Sequence, residues 1–126
     1  MNGLLWVGMG GALGAVARYG VAVGSVKLLG SHFPYGTLIV NTLGAFAALF
    51  ILALLSEKLA LMPAVRLFAV VGFLGAFTTF STYTYETIVF IEAGDWAKAL
   101  WNMLINNGLS LAAGVLGIAA ARVLAA

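Results

Sequence analysis

Four long stretches without interruption by loops, each almost free of charge, alternate with short polar segments along the chain: residues 4–26, 37–55, 67–91 and 99–121. A bilayer core of about 30 Å takes about 20 apolar helical residues to cross, so each stretch can span it as a helix. Arg18 is the one charge in the first stretch and Glu86 the one charge in the third, while the second and fourth carry none. The intervening segments, 27–36 with His32 and Pro34, 56–66 with Glu57, Lys58 and Pro63, and 92–98 with Gly94 and Asp95, read as polar loops. The pattern predicts an all-α integral membrane protein, one four-helix transmembrane domain over residues 1–126. The first stretch is too long for a signal peptide, and Arg18 lies far from any N-terminal charged region, so this helix is expected to be retained. Trp6, Tyr35, Trp96 and Trp101 fall near span ends, where amphipathic rings favour the headgroup layer.

Composition sharpens this picture mainly by exclusion. The chain is 63% hydrophobic and holds six basic and four acidic side chains in 126 residues, whereas a water-facing surface needs roughly 25–35% charged residues. With no cysteine there is no disulfide, thiolate nucleophile or iron–sulfur site, and one histidine cannot build a side-chain metal site. The formal charge of +2 is scattered, without a basic run, so a nucleic-acid partner has no support. The few acids and the loop histidine supply no nucleophile, base and orienting group together, so an enzyme is the least supported reading.

Helix neighbours on one face recur at three and four residues, and the small and polar intramembrane residues fall on that spacing. In the first span Gly10, Gly14 and Arg18 follow at intervals of four, a small-residue surface that lets another backbone approach. Arg18 itself must snorkel, find a carboxylate, or face water or backbone carbonyls. The second span sets Thr37, Asn41, Gly44 and Ala48 on one face. The fourth sets Asn102, Asn106, Ser110 and Gly114 on another, with Asn107 adjacent. Interhelical hydrogen bonds in lipid average only about 0.6 kcal/mol, so aligned amides and hydroxyls point to a water- or ion-lined path more than to packing. Donors with no carboxylate in either row favour an anion.

The third span concentrates Gly72, Gly75, five Ser and Thr residues and the aromatics Phe77, Phe80 and Tyr83 around its midpoint. Glycine and β-branched threonines are weak helix formers, and unwound backbone at membrane depth is tolerated where it is buried in protein or lines a cavity. A helix break is expected at about Gly75 to Thr79. Its exposed carbonyls would be cation ligands. Phe80 and Tyr83, three apart, share a face if the helix resumes, and an aromatic edge carries the positive end of the ring quadrupole.

These motifs, Gly10 to Tyr19 (GGALGAVARY), Gly36 to Gly44 (GTLIVNTLG) and Gly75 to Tyr83 (GAFTTFSTY), closely resemble the Fluc/CrcB fluoride channels of microorganisms, in order and over the whole chain. The resemblance implies a dual-topology antiparallel homodimer in the prokaryotic inner membrane, exporting fluoride down its electrochemical gradient through two pores. It implies a structural sodium (Na+) at the dimer centre, held by the carbonyls of Gly75 and Thr78. It assigns Asn41, Phe80 and Tyr83 to the pore and matches Thr37 and Ser110 to a polar track. Arg18 and Glu86 also occupy motif-like positions. The departures are Tyr83, where the family usually has Phe, and Thr84, where Ser is frequent. The alternative is a proton-coupled exporter of the small multidrug resistance type, equally small and four-spanning. That family needs a carboxylate in the first helix, where this chain has Arg18.

The Lys and Arg balance is nearly level: Lys58, Arg66 and Arg122 on one side, Lys27 and Lys98 on the other, with Arg18 nearer the second. Lys and Arg bias sets orientation, so insertion both ways is expected. A single cysteine placed in one loop should be labelled from one side of the membrane in about half the chains, and all-or-none labelling would exclude dual topology.

Overall fold

The computed structural model describes residues 2–57 and 62–126, and all of its regular structure is helical. Four helices are long and apolar enough to cross a membrane: α1 (Asn2–Leu29), α2 (Tyr35–Glu57), α3 (Pro63–Glu92) and α4 (Trp96–Ala125). Each extends the span expected from the sequence by a few residues at its ends. Pro63 occupies the first turn of α3, where its missing N–H costs nothing. Lys58, counted above in the charge balance, lies outside the described residues.

The turns are tight because of two glycines. Gly30 ends α1 at φ 83° and Gly94 follows α3 at φ 76°, backbone conformations that a side chain would oppose. After α3 the N–H of Gly94 reaches the carbonyl of Ile91, and the N–H of Asp95 that of Phe90. This pair of bonds satisfies carbonyls that a helix end would otherwise leave bare in lipid. Asp95 then caps α4 by accepting from the Lys98 N–H at 3.1 Å, so one short link closes one helix and opens the next.

Packing pairs α2 with α4 most extensively, and α1 with the first half of α3, while the second half of α3 turns to α4. The α1–α3 seam depends on absent side chains. A Cβ on Gly10 would strike the Phe68 carbonyl, one on Gly14 the Phe73 carbonyl, and one on Gly72 the Val7 carbonyl. The small-residue surface read from α1 is thus a contact surface, and Gly72 is its counterpart on α3. Residues Arg66–Leu74 wind with widened π-helical turns, with Gly72 and Leu74 buried.

The four spans are inside out relative to a soluble bundle. Only 11% to 17% of an apolar 18-residue stretch of each span is buried within the chain. Leu4, Val16, Leu111 and Trp96 point outward, whereas Thr37, Thr87, Asn102 and Asn106 are buried. In lipid an apolar surface carries no penalty, and polar groups gain by meeting one another.

The break expected over Gly75 to Thr79 is not seen as a broken helix. Gly75–Phe77 is helical, and α3 bends by only 11°. What departs from the helix is a pair of residues, Thr78 (φ −82°, ψ 156°) and Thr79 (φ −151°, ψ 120°), both extended. Helical bonding resumes at Phe80–Glu92, capped by the Thr79 hydroxyl, which accepts from the Thr82 N–H at 3.2 Å. Glycine and β-branched threonine are weak helix formers, and the departure is confined to the two threonines. The cap restarts it at once, so the axis stays nearly straight.

The glycine seam makes a direct prediction. Gly10→Ala should lower the thermal unfolding midpoint in detergent, at a cost of about 1–3 kcal/mol from overpacking against backbone. Gly24→Ala, where an added Cβ meets nothing within 4 Å, should not lower it.

Candidate functional site

The two extended residues of α3 free main-chain groups at mid-span, and Asn41 on α2 takes them up. Its Nδ2 donates to the Thr79 carbonyl at 3.0 Å, and its Oδ1 accepts from the Thr79 N–H at 2.8 Å. The second Nδ2 proton goes to Asn106 Oδ1 on α4, at 3.2 Å. In an unbroken helix the Thr79 N–H would go to the Gly75 carbonyl, so its diversion leaves that carbonyl without its usual donor. The polar chain continues through α4. Asn106 donates to Asn102 Oδ1 at 2.7 Å, Asn102 donates to the Thr87 hydroxyl at 3.0 Å, and Thr87 returns its proton to the Tyr83 carbonyl at 2.8 Å.

A cleft of about 610 Å³ opens beside this latch. Asn41, Gly75, Thr78, Thr79, Phe80, Tyr83 and Ser110 line it together. Five of the residues that the resemblance assigned to the pathway or to the cation, Asn41, Phe80, Tyr83, Gly75 and Thr78, therefore share one wall with Ser110. The rings of Phe80 and Tyr83 lie 5.3 Å apart, tilted by 52°, and Phe80 is 75% exposed. The Ser110 hydroxyl is buried and has no hydrogen-bond partner among the described residues. A buried, unsatisfied hydroxyl on a cleft wall is a donor held ready for a ligand or water.

Thr37 lies elsewhere. It lines a second cavity, about 240 Å³, with Arg18, Gly36, Thr82 and Glu86. Its hydroxyl donates to Glu86 Oε1 at 2.7 Å, while Glu86 Oε2 is buried with no partner among the described residues. Thr79 borders both cavities, so the extended pair of α3 sits between them. Arg18 takes the backbone option among those left open above: its Nε donates to the Ala76 carbonyl at 3.0 Å. The charge is used one residue before the last helical position ahead of Thr78.

Several donors of the two polar rows are engaged within the chain. Both Nδ2 protons of Asn41 are engaged, and Asn102 is fully buried and bonded to its neighbours. Asn41, Asn106 and Asn102 spend much of their capacity on one another and on neighbouring backbone and hydroxyl groups. Sequence spacing missed Thr87, whose partner Asn102 lies 15 residues away. It also gave no separate role to Thr79. The sole signal for either was membership of the polar third span. Among the described residues no group of three or more His, Cys, Asp or Glu side chains could hold a metal. The oxygens this site offers a cation are main-chain carbonyls and neutral hydroxyl and amide side chains.

Comparison with known proteins agrees over nearly the full length. The chain is 46% identical over 124 residues, 98% of this chain and 100% of the relative, to the "Fluoride-specific ion channel FluC" of Sulfurihydrogenibium sp. (strain YO3AOP1). It is 44% identical over 116 residues to the protein of that name from Koribacter versatilis (strain Ellin345), covering 92% of this chain and 91% of the relative. The corresponding protein of Legionella pneumophila (strain Paris) is 45% identical over 118 residues, 94% of this chain and 88% of its own. These names describe a channel and not an enzyme. The model of the family described as "CrcB-like protein, Camphor Resistance (CrcB)" matches residues 5–118, and this multi-pass membrane chain belongs to that family.

Proposed function

We propose that the chain is a fluoride-selective ion channel, exporting fluoride down its electrochemical gradient across a prokaryotic inner membrane. Relatives named as fluoride-specific channels at 44% to 46% identity support the ion. The observation that carries the site is the buried, unpartnered Ser110 hydroxyl on a cleft wall shared with the Phe80 and Tyr83 rings. Fluoride is small and tightly hydrated, so a pathway must replace its shell with several modest donors, as a potassium filter replaces a cation's shell with carbonyls. A hydroxyl and two ring edges do this without a full positive charge that would trap the ion. Asn41 acts in this scheme by fixing the backbone of Thr79 and holding the wall in place.

The cleft opens to the outside of the chain. A second copy in antiparallel orientation would close it, giving an equivalent cleft on each chain and hence two pores. The level Lys and Arg balance supports insertion both ways. Sodium fits the donor set at the centre of such a dimer: the Gly75 carbonyl has lost the Thr79 N–H, and Thr78 is extended beside it. When bound, the ion would supply a positive potential favourable to an anion and a bond between the copies. The chain's own part is to expose those two carbonyls, with Asn41 and Arg18 occupying the neighbouring Thr79 and Ala76 carbonyls.

Liposomes holding the purified chain should release fluoride and retain chloride under equal gradients. Asn41→Asp, which loses the donors to Thr79 and Asn106, and Phe80→Ile should each abolish most of the efflux. Equal movement of both halides, or none, would overturn the channel reading and leave the exporter, tested with a cationic dye and Glu86→Gln. Exchange of sodium for a large organic cation should weaken both flux and the dimer. Unchanged flux and dimer stability would remove the ion from the scheme.

A further inference from the structure

Tyr83 carries a hydroxyl that its position does not need for burial, and Asn107 on α4 holds it. Asn107 Nδ2 lies 3.1 Å from the Tyr83 hydroxyl oxygen and 2.8 Å from the Met103 carbonyl, one turn back along its own helix. The Met103 carbonyl only accepts, so the amide nitrogen, and not the amide oxygen, faces it. This settles the direction of the other bond. An amide nitrogen donates and does not accept, so the Tyr83 oxygen is the acceptor and its own proton points away from Asn107. Among the described residues that proton has no hydrogen-bond acceptor, and both Tyr83 and Asn107 line the 610 Å³ cleft.

We propose that Asn107 is a positioning residue that turns the Tyr83 hydroxyl into an additional anion donor on the cleft wall. The ligand it takes is a small, strongly hydrated monovalent anion, the class already inferred for this cleft, and the proposal rests on that reading. Three contributions then face the cleft from one region: the Ser110 hydroxyl, the Phe80 ring edge and the Tyr83 proton. The first two belong to the pathway in any case. The third exists only while residue 83 is a tyrosine and residue 107 accepts its orientation. A tyrosine hydroxyl free to rotate would also present its lone pairs to the cleft and repel an anion. With its oxygen engaged by Asn107, the favoured outward group is the proton. Accepting a hydrogen bond also polarises the O–H and strengthens its donation.

Fluoride efflux measured against fluoride concentration tests this with Tyr83→Phe, Asn107→Leu and the pair together. Asn107 is exposed on a long helix, and leucine is a good helix former, so folding should survive. A hydrogen bond to a charged group is worth enough that each single variant should raise the half-saturating fluoride concentration about tenfold. On the Tyr83→Phe background, Asn107→Leu should change nothing further, because no hydroxyl is left to orient. If the two changes instead multiply, or Asn107→Leu alone leaves the concentration dependence as in the parent chain, Asn107 does not act through Tyr83 and the proposal falls. If Tyr83→Phe alone leaves it unchanged, the hydroxyl is no anion donor. A parent chain that moves no fluoride defeats the channel reading itself, and the proposal with it. Parent flux without the coupling defeats the proposal alone.

Discussion

The amide of Asn41 is the interaction on which the rest of this structure depends. Its three bonds tie α2 to the extended residues of α3 and to α4 at once. In water such a latch would gain little, since solvent would satisfy the same groups. In a bilayer no water competes, and an open N–H or C=O at mid-span costs several kcal/mol. The two extended residues persist because Asn41 satisfies Thr79 on both its donor and its acceptor. The hydroxyl of Thr79 then restarts the helix, and α3 keeps its direction.

Everything polar at the site follows from how that demand is met. Amides are consumed in pairs, from Asn41 through Asn106 and Asn102 to Thr87, and the chain ends on the Tyr83 carbonyl. Arg18 gives one N–H to the Ala76 carbonyl, and Thr37 donates to Glu86. In the proposed reading, the groups left for a ligand on the 610 Å³ cleft are the Ser110 hydroxyl, the ring edges of Phe80 and Tyr83, and the Tyr83 proton. A pathway for a strongly hydrated anion gains from such economy. Many fixed donors would bind the ion too well to release it. The rigid amide network supplies shape, and the few free groups supply contact.

Scaffold and site are built by opposite uses of side chains. Along α1 and the first half of α3, function is served by having none. Gly10, Gly14 and Gly72 bring backbones together, and this close seam carries the Arg18 side chain to Ala76. Along α2, the second half of α3 and α4, polar side chains reach across the gap. Burial of apolar groups does little of this work, since lipid receives Leu4 or Leu111 as well as the protein interior would.

The sequence alone determined the four spans, because crossing a bilayer demands long uncharged stretches and nothing else in so short a chain supplies them. It determined the family as well, since the ordered motifs around Arg18, Asn41 and Phe80 are legible without coordinates. The site was legible in its membership but not in its bonding. Periodicity put Thr37 on the same face as Asn41, yet the fold sends it to Glu86 in a different cavity. Composition weakened the helix around Gly75, and only tertiary contact limited the departure to Thr78 and Thr79. Which donors stay free was decided by tertiary structure alone. A hydrogen bond between residues 65 apart, such as that from Asn41 to Asn106, leaves no trace in local spacing. It spends both partners' capacity only once the helices meet.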